Sequence, residues 1–61
     1  MLEYVKTILK KVSFDARLFE KELKKAITTL VHSELLDLKR WCYENFATTH
    51  GAVLNRCFVT V

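Results

Sequence analysis

At 61 residues the chain is near the lower size at which a protein folds alone, burying only about 60% of its unfolded surface, which leaves room for one domain and argues against a substrate-sized cavity. Hydrophobic residues make up 51% of the sequence, more than so small a chain can hide in its own interior, so self-association is expected. The net charge of +3 is unevenly placed: residues 1–25 hold seven Lys/Arg against four Asp/Glu, and residues 26–61 hold three against three, so the excess would suit an acidic partner but is modest beside true nucleic-acid binders.

Cys42 and Cys57 are too few for a disulfide scaffold. Met1 to Val12 is interrupted by Glu3, Lys6, Lys10 and Lys11 and does not read as a secretory leader. No apolar run reaches the ~18 residues of a membrane span. The expectation is a soluble protein of the cytoplasm, with both cysteines free and acting as small buried hydrophobes.

In chain order, residues 2–12 read as a first helix. Leu2, Val5, Ile8, Leu9 and Val12 share a narrow arc opposite Glu3, Lys6, Thr7 and Lys10. About three turns with β-branched residues are unstable in isolation, so this helix must pack on something. Lying on an anionic bilayer is the competing use of its face, but detachment would strip five apolar residues from a small core. Ser13 to Asp15 forms a short connection. The second helix, residues 15–31, has Asp15 as N-cap and a greasy face of Phe19, Leu23, Ala26, Ile27 and Leu30. Arg17, Lys21, Lys24, Lys25 and Thr28 form the opposite, cationic side. Phe14 and Phe19 stand at the N′ and N4 spacing of a hydrophobic staple.

A break near Val31 to Ser33 follows, with Ser33 as the cap of a third helix over residues 34–47. Leu35, Leu38, Trp41, Cys42 and Phe46 form its main face. Leu36, Tyr43 and Ala47 form a second, weaker strip, and a helix apolar on two sides touches two neighbours. Thr48 to Gly51 is a second break. Leu54, Cys57, Phe58 and Val61 then keep helical spacing, which predicts a fourth helix over residues 50–59, with a terminal strand over Cys57–Val61 as the alternative. The fold class is therefore all-α: a compact bundle of three to four short helices in a single domain, residues 1–61.

No motif for catalysis, a cofactor or a metal emerges. His32, Cys42, His50 and Cys57 lack the close spacings of a zinc site. Cys42 lies on an apolar arc, where burial makes a thiol inert. If the second and third helices formed a helix-turn-helix, the recognition turn Glu34 to Asp37 would be acidic and repel phosphate. The leading expectation is a non-enzymatic protein–protein interaction or adaptor module, a homodimer formed through Leu36, Tyr43, Val59 and Val61. Aromatics beside Lys39 and Arg40 have the composition of an interface core. The alternative is a nucleic-acid-associated protein that contacts phosphates through Arg17, Lys21, Lys24 and Lys25. Against it, Glu20 and Glu22 stand at intrahelical pairing distance from Lys24 and Lys25.

Overall fold

The computed structural model describes residues 1–59, and among these the chain forms α1 (Leu2–Lys11), α2 (Ala16–Thr29) and α3 (His32–Cys57) with no strand. The all-α class holds. Asp15 caps α2 as its sequence position predicts: its carboxylate accepts from the backbone N–H groups of Arg17 at 2.9 Å and Leu18 at 3.3 Å, two donors that the first turn otherwise leaves open. The staple is not made. Phe19 is fully buried, but Phe14 points away from it and is 80% exposed. The turn over residues 12–14 is instead closed by backbone bonds and by the Ser13 hydroxyl, which donates to the Lys10 carbonyl.

At its far end α2 stops at Thr29. The hydroxyls of Thr28 and Thr29 both turn back to the Lys25 carbonyl, and Leu30 leaves helical geometry to reach the core. The connection lies two residues earlier than the predicted helix bounds place it, at Leu30 and Val31. Val31, extended and without a side-chain cap bond, precedes α3, which starts at His32 rather than Glu34. Ser33 thus lies inside the first turn and is not the cap.

The predicted third and fourth helices are two arms of α3, joined at His50, whose φ of −130° and ψ of 25° depart from the helix. A straight helix of 26 residues would measure ~39 Å, yet the molecule's longest dimension is 26 Å, so the second arm turns back. The Tyr43 hydroxyl accordingly donates to Asn55 Oδ1 at 2.6 Å, although twelve residues of straight helix would hold the two positions ~18 Å apart. Helical geometry runs through Cys57 and a turn takes in Phe58 and Val59. The part of the alternative terminal strand formed by those residues is therefore absent. Thr60 and Val61 lie outside the described residues.

One apolar cluster joins all elements. Leu9 of α1, Phe19 and Leu23 of α2, and Leu38, Cys42 and Leu54 of the two α3 arms are its most deeply buried members. Each large side chain so buried contributes about 1.5–3 kcal/mol relative to exposure. The predicted main face of α3 is confirmed, with Leu35, Leu38 and Cys42 buried and Trp41 and Phe46 packed at its margin. Trp41 also carries two cations: the ammonium groups of Lys6 and Lys10 lie 5.7 and 6.0 Å from its ring centre. These contacts tie α1 to α3 through cation–π attraction.

Candidate functional site

The second apolar strip of α3 begins with Leu36, which is 48% exposed. Tyr43 follows two turns later on the same face. It is half-buried, its ring centre 6.4 Å from that of Phe58 and its hydroxyl held by Asn55. Val59, next to Phe58, is 76% exposed. The strip therefore divides: Tyr43 is mostly spent on holding the returning arm, while Leu36 and Val59 stay exposed. Val61, the fourth residue predicted for this face, is outside the described residues.

Beside Val59 runs an open depression lined by Glu20, Lys24, Asn55 and Arg56. Arg56 forks onto Glu20 at 3.0 and 3.3 Å, and Lys24 approaches the same carboxylate at 3.5 Å. The hydrogen bonds from Arg56, reinforced by its charge and that of Lys24, hold the Glu20 carboxyl below its ordinary range. An apolar centre edged by satisfied polar groups has the anatomy of a protein interface.

The cationic side of α2 is less neutralised than its sequence suggests. The expected Glu20–Lys24 pair forms. Among the described residues, Arg17, Lys21 and Lys25 enter no ion pair.

The residue that sequence reasoning missed is His50. It appeared only as a remote metal ligand, yet it is 8% exposed and makes the bend. Its ring stacks on Phe19 with centres 4.4 Å apart and planes 18° from parallel. Its Nε2 lies 2.7 Å from the Ser13 carbonyl. A carbonyl only accepts, so Nε2 carries the hydrogen, and Nδ1 faces the interior without a partner. The aromatic residues Phe19 and Phe46 around this ring make it part of the core. The sequence signal was present in the low helix propensity of Thr48 and Thr49 before it, but nothing local points to Ser13.

The two thiols behave as buried apolar groups. Burial, with a smaller push from nearby Cys57, raises Cys42 to about 12. Burial also raises Cys57. Such thiols are poor nucleophiles at neutral pH. Among the described residues no group of three or more His, Cys, Asp or Glu side chains converges as a metal site would require. A groove of about 100 Å³ between α1 and α2, lined by Met1, Tyr4, Ile8, Lys25 and Ala26 among others, is well below the ~300 Å³ of ordinary ligand pockets. No helix among the described residues is long and apolar enough to cross a membrane. Set against known protein families, curated proteins and solved structures, the chain matches none.

Proposed function

We propose that this protein is a non-enzymatic helical interaction module that pairs with a second copy of itself through the Leu36–Tyr43–Val59 face. The observation that carries the reading is that Leu36 and Val59 are exposed, while Tyr43, two turns along α3 from Leu36, is already fixed by Asn55 and by Phe58, the residue before Val59. A preordered aromatic contributes contact area with little further loss of freedom on binding. A standard interface takes about 800 Å² from each partner, roughly a fifth of this molecule's 4108 Å², so the neighbouring Glu20–Arg56 edge would be drawn in as its rim. The nucleic-acid alternative is less well supported. Lys24 is engaged by Glu20, and Lys21 and Lys25 share their side of α2 with the exposed Leu18.

Light scattering after size exclusion, across a concentration series, tests the proposal. A dimer that persists at low micromolar concentration and is lost in Leu36→Glu and Val59→Glu is the expected result. These positions are better probes than Tyr43→Ala, which would also loosen the returning arm. A monomer at every concentration would remove the homodimer.

A further inference from the structure

The corner between α1 and α2 presents what a folded interior normally hides. Phe14, at the tip of the turn, is the most exposed large apolar side chain among the described residues, and Leu18, in the first turn of α2, is exposed as well. Leu18, Lys21 and Lys25 follow one another at helical spacing within an arc of about 60°, and all three are exposed. Lys25 then lines the groove that also holds Met1 and Tyr4, two further exposed apolar side chains. Exposed apolar groups and unpaired cations thus recur along the α1–α2 hairpin from the turn to the groove.

The charge of this surface is only partly offset: half-buried Glu22 lines the groove beside Lys25 but enters no ion pair among the described residues. Arg17, Lys21 and Lys25 make no ion pair among the described residues, and Lys11, at the other edge of the turn, makes none either. Asp15 is the one acid within the turn, and its carboxylate is occupied in capping α2.

We infer that this hairpin is a peripheral docking surface for an anionic lipid bilayer. Phe14 and Leu18 enter the interfacial layer, while Arg17, Lys21 and Lys25 lie against lipid phosphates. Aromatic and aliphatic groups flanked by Lys and Arg are what the boundary between headgroup and acyl chain accommodates, and each cation near such a surface adds roughly a fivefold increment in affinity. Nothing must unfold for this: the side chains involved already face solvent, and Val5 and Leu9 of α1 stay in the core. A second copy packed corner to corner is disfavoured as occupant, because Lys11, Arg17 and Lys21, all exposed, would meet their own counterparts. Nucleic acid would satisfy the cations but leave Leu18 and Met1 without a favourable environment. This inference is independent of the Leu36 face.

Vesicle flotation of the full chain tests it, using phosphatidylcholine with and without about 30 mol% phosphatidylserine. Binding is expected to the anionic vesicles alone, to weaken in high salt, and to fall about tenfold in Phe14→Ser and about 25-fold in Lys21→Gln/Lys25→Gln. Circular dichroism of both variants should match the parent, since the residues changed are exposed. Absence of binding to anionic vesicles, equal binding to neutral ones, or binding unchanged in both variants would overturn the inference. So would loss of self-association in Phe14→Ser, which would assign the corner to a second copy. A short DNA or RNA bound more tightly than the vesicles and with no dependence on Phe14 would assign the cations to nucleic acid and equally overturn it.

Discussion

Gly51 is the sole glycine and directly follows the bend in α3, a position that invites the view that it makes the bend. The geometry points to His50 instead. Gly51 lies within α3 without a positive φ, and a Cβ built there would meet nothing within 4 Å. Gly51→Ala should therefore meet no clash and remove some conformational freedom from the unfolded chain, a gain of about 0.5–1 kcal/mol. With ~2.1 cal/mol/K of unfolding entropy per residue, a chain of 61 residues has about 0.13 kcal/mol/K, so Tm should rise by about 4–8 °C. Thermal unfolding followed by far-ultraviolet circular dichroism reads this directly. A fall in Tm would mean that the bend depends on glycine's backbone freedom, and the account of His50 as its anchor would be wrong.

At His50 itself, replacement by Ala removes both the stack on Phe19 and the bond to the Ser13 carbonyl, at a cost of about 2–4 kcal/mol. That is comparable to the whole ~3–5 kcal/mol expected of a core this small. His50→Phe keeps a ring on Phe19 and loses only the donor, so its cost should be smaller, about 1–3 kcal/mol. Urea unfolding midpoints separate the two, and a His50→Ala variant within roughly 0.5 kcal/mol of the parent would contradict the anchoring role. For Cys42, a thiol raised to about 12 is ionised to only about one part in ten thousand at pH 8. Alkylation followed by mass spectrometry should label it only through unfolding, and more slowly in Gly51→Ala. Labelling at the rate of a free cysteine would show that Cys42 is accessible in the folded protein.

The features legible in the sequence are those set by local periodicity and capping. The buried faces of α1 and α2, the Asp15 cap and the Leu35/Leu38/Cys42 face of α3 follow from spacing alone, because a helix of fixed pitch brings such residues together whatever surrounds it. The interruption at residues 48–51 was also legible, through two threonines and a glycine. What it produces was not. Whether a break becomes a loop or a bend depends on tertiary partners, here the Ser13 carbonyl and the Phe19 ring. The same reason accounts for Tyr43, whose bond to Asn55 exists only once α3 has folded back. It accounts for Phe14 as well: the staple spacing was correct, but Phe19 was claimed by His50 and Phe46. Of the candidate interface, Leu36 and Val59 are exposed as expected, whereas the corner at Phe14 was read as internal.

The bond between His50 and Ser13 also has a consequence in time. The two residues are 37 apart in sequence, and closing such a loop costs about 3 kcal/mol of chain entropy before the contact returns anything. The α1–α2 hairpin, joined by a short turn, faces no comparable delay. Assembly should therefore run from the hairpin towards the second arm of α3, with residues 51–57 arriving last to shut His50 over Phe19. Disassembly would begin at the same seam, so the bend is both the closing step of folding and the place where the molecule first opens.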